Sequence, residues 1–129
     1  MGQLVCARLA ADGHTVRAFD LSTANFDSIP DGVSALQGDL TSQEDVTIAL
    51  EGIDAVVHLA AILPPVANRL IELAQRVNVA GTKIIVDAMN ENVPNARLVF
   101  SSSVSVYGAP ANDSEVTTSQ AYDPDDNYA

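Results

Sequence analysis

A row of hydroxyl side chains follows an apolar run of strand length in this sequence. The apolar run covers residues 97–100, and serines stand at residues 101–103. A buried strand that ends in hydroxyls delivers them to its carboxyl end, and open α/β sheets bind ligands outside the carboxyl ends of their strands. This pattern indicates a ligand site after residue 100. The alternative interpretation is a polar strand end without a ligand.

A carboxylate stands in a similar place earlier in the chain. Asp20 follows residues 15–19, which are predicted to form a short strand. In a dinucleotide-binding fold, a carboxylate at this position accepts hydrogen bonds from the ribose hydroxyls of adenosine. It also repels a ribose 2′-phosphate, and residues 21–29 contain no Arg that would reverse this preference. Asp20 therefore favours NAD over NADP, unless it is a simple loop residue.

The elements that must position these side chains alternate between helix and strand. Apolar periodicity predicts helices over residues 2–12, 66–76 and 77–92 and after Thr41, and apolar runs predict strands over residues 15–19, 54–59 and 97–100. Residues 21–37 are predicted to be a loop. Such alternation is typical of an α/β fold, a parallel sheet with helices on both faces. The length of 129 residues suits one small domain.

Two local patterns add detail to this prediction. Thr41 and Glu44 have the spacing of a capping box, which predicts that Thr41 is the N-cap of the helix that follows. His58 lies within the apolar strand over residues 54–59, so we interpret it as a buried core histidine rather than a catalytic base.

Composition and charge narrow the class of protein. The chain has 17 acidic and 6 basic residues and a formal net charge of −11, which argues against nucleic acid as a partner. It is 47% hydrophobic and 18% charged, as is typical of a globular protein. No apolar run approaches the ~18 to 20 residues of a membrane span, and no signal peptide is recognised. A cytoplasmic protein without membrane contact is predicted, and no metal site is expected.

The segment from Phe100 to Gly108, Phe-Ser-Ser-Ser-Val-Ser-Val-Tyr-Gly, resembles the serine motif of the extended short-chain dehydrogenase/reductase superfamily, which includes NAD-dependent epimerases and dehydratases. The resemblance extends over essentially all of residues 1–129. It implies a Rossmann-like, doubly wound parallel sheet and an oxidoreductase that uses NAD on a small-molecule substrate. A nucleotide sugar is favoured by its frequency in the family, and small alcohols and sterol-like substrates remain open. A homodimer is plausible for a full-length parent.

The same resemblance implies two catalytic residues, Ser103 and Tyr128. Ser103 occupies the family's catalytic serine position, four residues before Tyr107. Tyr128 resembles the tyrosine of the Tyr-x-x-x-Lys motif. An ordinary phenol has a pKa near ~10, so it needs a neighbouring Lys and the charge of the nicotinamide to act as a base. Tyr128 is expected to take a proton from a substrate hydroxyl that Ser103 holds, while hydride passes to NAD.

Several further segments resemble cofactor-binding segments of the family. Gly2 resembles the third glycine of the Gly-x-x-Gly-x-x-Gly loop, which lets the first helix pack closely. Asp39 and the backbone after it resemble the segment that faces the adenine, and Asn78 resembles the Asn of an Asn-x-x-Gly-Thr helix start. The cofactor contacts that the resemblance implies are Gly2, Asp20, Asp39, Leu40, Ala60, Ala61, Asn78 and Ser101. Asn78 is alternatively a polar residue that caps a helix junction.

The sequence departs from the family pattern at both ends. The first strand with most of its glycine loop, and the Lys four residues after Tyr128, have no counterpart in it. We therefore expect an incomplete cofactor domain, without the substrate domain, of low stability and without activity of its own. The strand that ends at Asp20 and the strand before Ser103 are expected to lose the element between them. The alternative hypothesis is a non-catalytic Rossmann-like module that senses a dinucleotide or binds a partner.

Overall fold

The computed structural model describes residues 1–21, 26, 29–109 and 115–129. Its regular elements, in chain order, are α1 (Gly2–Ala11), β1 (Val16–Asp20), β2 (Val33–Gln37), α2 (Gln43–Ala49), β3 (Ala55–His58), α3 (Val66–Arg69), α4 (Ile71–Ala74), a π-helix (Gln75–Gly81), α5 (Thr82–Asn92), β4 (Arg97–Phe100) and a 3-10 helix (Val104–Tyr107). Most of the stretch 21–29, which was searched for an Arg that would favour NADP, and residues 110–114 lie outside the described residues.

The strands form two parallel pairs. β1 pairs with β2, with Val16 opposite Val33, and β3 pairs with β4, with Ala55 opposite Arg97. Within the described residues the two pairs are separate sheets. The predicted parallel pairing is confirmed, and β4 lies directly beside β3. Among the described residues, no ladder joins the strand of Asp20 to the strand before Ser103.

The prediction of a loop over residues 21–37 is wrong for its last part. Residues 33–37 form β2. The residue before it, Gly32, has φ of 82°, in the left-handed region that favours glycine. In β2, Val33 and Leu36 are half-buried and the residues between them are exposed. This pattern lacks the strict alternation that marks a half-buried strand. Backbone pairing with β1 stabilises the strand, and sequence periodicity does not report such pairing.

One layer of helices covers both sheets. Residues from α2 and α5 and their flanks form the buried cluster, which consists of Leu40, Val46, Leu50, Ile85, Ala88 and Met89. Phe19 of β1, Val56 of β3 and Leu98 of β4 pack against it. Strand alternation turns Val16 and Ala18 to the opposite face from Phe19, and α1 contacts both β1 and β2. The prediction of helices on both faces is consistent with this arrangement.

The start of α2 differs by one residue from the prediction. The N-cap is Ser42, whose hydroxyl accepts a hydrogen bond from the backbone N–H of Asp45 at 3.2 Å. Thr41 instead donates its hydroxyl to the carboxylate of Asp39 at 2.8 Å. Both Thr41 and Ser42 precede an acidic residue by three positions, so the sequence pattern alone cannot choose between two equivalent registers.

The helical region over residues 66–92 is divided into four segments. α3 and α4 are single turns, and the predicted boundary between two helices falls inside the π-helix Gln75–Gly81. α5 ends at Asn92, just before Pro94, as predicted. Lys83 and Asp87 form the exposed ion pair that their spacing allows. Among the described residues, no helix is both long and apolar enough to span a membrane.

Candidate functional site

The first half of the site lies where β1 and β2 end. The backbone N–H of Gly38 donates to the carbonyl of Asp20 at 2.9 Å, so both chains leave the sheet side by side. Asp20 is the last residue of β1, and its Oδ1 accepts the N–H of Leu21 at 2.7 Å. An open cleft of about 530 Å³ lies at this edge, lined by Leu21, Gln37, Gly38, Asp39 and Asp45. Carboxylates at its wall suit a ligand that presents hydroxyl donors.

Asp39 is held in a fixed orientation by its own turn. Its Oδ1 accepts both the backbone N–H and the hydroxyl of Thr41, each at 2.8 Å. These two hydrogen bonds, with a smaller effect of the positive charge of Arg76, lower the pKa of Asp39 below its usual value. Its backbone N–H donates to Oδ2 of Asp45 at 2.8 Å. Asp39 is therefore ionised at neutral pH and adds a negative charge to this edge.

Gly38 is required by the packing behind this cleft. A Cβ atom at residue 38 would overlap the ring of Phe19 and would lie 3.1 Å from the Cβ of Asp45. We expect Gly38→Ala to push Phe19 away from the core and to destabilise the chain by about 1–3 kcal/mol. Urea unfolding followed by circular dichroism measures this loss. Gly2→Ala is the matched control, because nothing lies within 4 Å of a Cβ there; equal midpoints for the two variants would contradict the prediction.

The second half of the site lies where β3 and β4 end. The N–H of Ser101 donates to the carbonyl of His58 at 3.3 Å, and the side chains of Ser101, Ala60 and Ala61 are exposed there. Asn78 binds the chain just beyond, at Ile62. Its Oδ1 accepts the N–H of Ile62 at 2.7 Å, and its Nδ2 donates to the carbonyl of Ile62 at 3.0 Å. Asn78 thus fixes the backbone that carries the two alanines.

The π-helix Gln75–Gly81 connects the two halves of the site. At one point it holds Ile62, through Asn78. At another, a Cβ on Gly81 would lie 2.9 Å from Cγ of Leu40, so helix and side chain are in close contact. The chain segments that follow β2 and β3 therefore meet the same helical turn, and the carboxyl ends of the strands share one side of the molecule. Such π-turns occur frequently at functional sites.

The side chain of Leu40 lies in the core rather than at this edge. Its side chain is 9% exposed and belongs to the core cluster beneath α2 and α5. At Gly2 the structure gives no support for the predicted close packing, since nothing lies within 4 Å of a Cβ there. The roles of Gly2 and Leu40 toward a cofactor stay predictions.

His58 is a core histidine, as its apolar surroundings predicted. It is 4% exposed, and its Nε2 lies 2.8 Å from the hydroxyl of Thr82. That hydroxyl donates its only hydrogen to the carbonyl of Asn78 at 2.6 Å, so it must accept from His58. Nε2 therefore carries the proton. His58 supports the helix start that holds Asn78 in place.

The burial of His58 predicts a pH dependence of stability. Loss of solvent lowers the pKa of His58 below its ordinary value of 6.5, because the charged form is disfavoured. The unfolded chain then binds a proton at a higher pH than the folded chain. The contribution of neutral His58 to the free energy of unfolding is fully present above pH 6.5, and it decreases as the pH falls below that value. An NMR titration of the His58 Cε1–H measures this, and a midpoint at or above 6.5 contradicts it. His58→Gln should remove this part of the pH dependence.

Ser103 and Tyr128 are placed by different parts of the chain. Ser103 is the N-cap of the 3-10 helix: its Oγ accepts the N–H of Ser105 at 3.2 Å and donates to the Ser105 hydroxyl at 3.1 Å. The backbone N–H of Tyr128 donates to Oδ1 of Asp126 at 2.9 Å, and its side chain is half-buried. Among the described residues, no hydrogen bond joins the two hydroxyls. Their catalytic roles stay predictions.

Three contributors to this site were not singled out as site residues. Gly38 permits the approach of Phe19, Asp45 lines the cleft and binds the backbone of Asp39, and Thr82 links His58 to Asn78. Gly38 directly precedes Asp39, and Thr82 is the threonine of the Asn-x-x-Gly-Thr helix start at Asn78. The spacing of Asp45 from Ser42 predicts a place in the first turn of α2, but not its contact with the backbone of Asp39.

Comparison with known proteins identifies the family. The model of the NAD dependent epimerase/dehydratase family matches residues 1–129. The chain belongs to this family. Its description as NAD dependent agrees with the predicted cofactor, and membership of the epimerase/dehydratase family confirms the resemblance of the serine motif.

Individual relatives of this family member differ in what they act on. Sterol-4-alpha-carboxylate 3-dehydrogenase, decarboxylating, from Bos taurus is 38% identical over 106 residues, which are 82% of this chain and 28% of that enzyme. A solved UDP-glucose 4-epimerase superposes with a TM-score of 0.89 at 27% identity, over 98% of this chain and 39% of that one. UDP-glucose 4-epimerase from Brucella ovis, in complex with NAD, gives a TM-score of 0.88 at 25% identity, with the same coverage.

These superpositions confirm the Rossmann-like α/β fold and the parallel sheet. The chain spans less than a third of the length of the bovine relative and about two fifths of each epimerase structure. This member of the epimerase/dehydratase family thus aligns with only one part of each of those proteins.

Proposed function

We propose that this chain forms the adenosine-binding side of an NAD-dependent oxidoreductase, which transfers hydride between a secondary alcohol of a small molecule and NAD. The observation that supports this most directly is Asp20, at the last position of β1 and beside an acidic cleft. In a dinucleotide fold this is the position that accepts the ribose hydroxyls.

The residues at the strand ends fit such a cofactor. Asp20 and Asp39 offer acceptors to hydroxyl and amine donors, and their negative charge disfavours the extra phosphate of NADP. Ala60 and Ala61 expose a backbone with small side chains, held in position by Asn78 through Ile62. These contacts suit a ligand that lies along the carboxyl ends of the strands.

The catalytic part of the proposal rests on Ser103 and Tyr128. NAD, when bound, supplies the hydride acceptor. Tyr128 takes the proton from the substrate hydroxyl, and the carbon that bore this hydroxyl becomes a carbonyl carbon as it loses hydride. Ser103 holds the same oxygen by a hydrogen bond, after its hydroxyl turns away from Ser105. This step needs a phenolate, a form that a neighbouring positive charge favours for phenols in general.

The substrate we favour is a nucleotide sugar, and a 3-hydroxy sterol is the second candidate. The nucleotide sugar is supported by the superposition on UDP-glucose 4-epimerases over almost the whole chain. The sterol is supported by the higher sequence identity to the bovine sterol dehydrogenase. Both present a secondary alcohol, so the proposed proton and hydride transfers are common to them.

A non-catalytic module that senses a dinucleotide or binds a partner is the competing interpretation. It shares the cleft beside Asp20 and needs neither Ser103 nor Tyr128. The two interpretations separate when Ser103 and Tyr128 are replaced: an enzyme loses turnover, and a sensor keeps its nucleotide affinity and its response. Cytoplasmic location and a homodimer remain predictions for the full-length protein.

The cofactor proposal is tested by Asp20→Asn, which keeps the shape of the side chain and removes its charge. We expect the affinity for NAD to fall about tenfold or more, the loss of a hydrogen bond to a charged group. Affinity for NADP should fall less, so the preference for NAD shrinks. Isothermal titration with both nucleotides measures this. The control is Asp31→Asn, an exposed turn residue. Equal affinities of the two variants, or a wild-type preference for NADP, contradict the proposal.

A further inference from the structure

The turn after β4 is covered by a distant part of the chain. The 3-10 helix Val104–Tyr107 ends at Gly108, whose backbone has φ of 65° and ψ of −167°. This conformation lies in a region that L side chains rarely adopt. The backbone of Asp123, fifteen positions further on, lies directly over this glycine.

Three contacts join these two segments. The N–H of Asp123 donates to the carbonyl of Val106 at 3.0 Å. The rings of Tyr107 and Tyr122 pack with their centroids 5.5 Å apart. The third contact is steric, because a Cβ on Gly108 would overlap the carbonyl oxygen of Asp123 and lie 3.2 Å from its carbonyl carbon. The absence of a side chain at Gly108 thus lets the two backbones approach.

The contact continues to Tyr128 through one carboxylate. Oδ1 of Asp126 accepts the backbone N–H of Tyr128 at 2.9 Å and that of Ala129 at 3.0 Å. The segment that contacts the turn through Tyr122 and Asp123 therefore also contains Asp126, which holds the backbone of Tyr128. The other end of the same 3-10 helix is capped by Ser103.

We propose that Gly108 is a positioning residue, which seats residues 122–126 on the 3-10 helix so that Tyr128 is held relative to Ser103. The role depends on the proposed function, in which these two hydroxyls act on one substrate oxygen. The seating itself is a property of the chain without cofactor or substrate. It is therefore open to test independently of NAD binding.

The test compares Gly108→Ala with Gly52→Ala in the chain labelled with 3-fluorotyrosine. Gly52 has φ of 68°, close to that of Gly108, and nothing lies within 4 Å of a Cβ there. Both variants place a Cβ on a residue with positive φ, and only Gly108→Ala blocks the approach of Asp123. The three tyrosine signals are assigned by single Tyr→Phe replacements.

We expect Gly108→Ala to move the fluorine signals of Tyr122 and Tyr128 toward their positions in the denatured chain. Hydrogen exchange of the Asp123 amide should become roughly tenfold faster or more, as for an overpacked contact. Exchange in β3 and β4 should match that of Gly52→Ala. If Gly108→Ala leaves the Tyr128 signal and the Asp123 exchange as they are in Gly52→Ala, the proposal is overturned.

A second variant decides the matter if Gly108→Ala fails to fold. Tyr122→Ala removes the ring contact with Tyr107 and leaves the turn intact. Faster exchange at Asp123 together with a shifted Tyr128 signal supports the seating. An unchanged Tyr128 signal overturns it. Neither measurement involves a nucleotide, so its result does not depend on whether the chain binds NAD.

Discussion

Replacement of Tyr128 by Phe, in a protein that contains this segment and oxidises its substrate, is expected to lower kcat by about 10²- to 10⁴-fold, the usual contribution of general acid–base catalysis. The phenylalanine ring keeps the shape of the side chain and removes the group that accepts the substrate proton. The affinity for NAD should not change, since Asp20 and Asp39 lie at other strand ends. The rate of NADH formation measures the effect.

The matched control for this prediction is Tyr122→Phe. Tyr122 is 74% exposed and contacts Tyr107 through its ring, which Phe retains. Its kcat should stay within a factor of about two of the wild type, as for surface changes of small energy. A wild-type rate for Tyr128→Phe would rule out Tyr128 as the base and favour the non-catalytic interpretation.

The largest expected effect on stability is that of Leu50→Ala. Leu50 is 4% exposed and lies in the cluster that joins α2 and α5 over both sheets. Truncation of such a leucine costs about 2–5 kcal/mol, because a cavity remains where the side chain was. Domains are stable by only about 5–15 kcal/mol. Apolar side chains such as Val99 and Phe100 remain exposed on β4, so we expect this chain to lie near the lower limit.

Urea unfolding, followed by circular dichroism, measures the effect of Leu50→Ala. Ile48→Ala in α2, two residues before Leu50, is the control, because Ile48 is 44% exposed and its truncation leaves no comparable cavity. We expect its unfolding free energy to remain within about 1 kcal/mol of the wild type. Equal losses for the two variants would show that the cluster beneath α2 does not hold the sheets together. A cooperative wild-type melt at high temperature would contradict the expected low stability.

Much of the fold was predictable because its strongest elements have local signals. The strands β1, β3 and β4 are apolar runs bounded by turn residues, and α5 has regular helical spacing. The missed strand, β2, is stabilised by backbone pairing with β1 rather than by its own side chains. The N-cap at Ser42 was missed because Thr41 offers an equivalent pattern one residue earlier. The π-helix was not predicted; within it, Asn78 and Gly81 make tertiary contacts to Ile62 and Leu40.

In the candidate site too, some features have a local sequence signal and others depend on contacts between distant residues. Asp20, Asp39 and Asn78 were predicted as cofactor contacts from their places beside strands and in short motifs, and their roles toward a cofactor stay predictions. The reason that Asn78 matters, its two hydrogen bonds to Ile62, is visible only in three dimensions. The same holds for Gly108, whose sequence position reports a turn but not the backbone of Asp123 above it.

The most direct test of the account is a two-dimensional ¹H–¹⁵N NMR titration of the chain with NAD. The account predicts shifts at the amides around the strand ends, namely Leu21, Gly38, Asp39, Ala60 and Ala61, with smaller shifts when NADP is added at the same concentration. Shifts confined to other surfaces, or none at millimolar NAD, would contradict the assignment of this edge as the cofactor site.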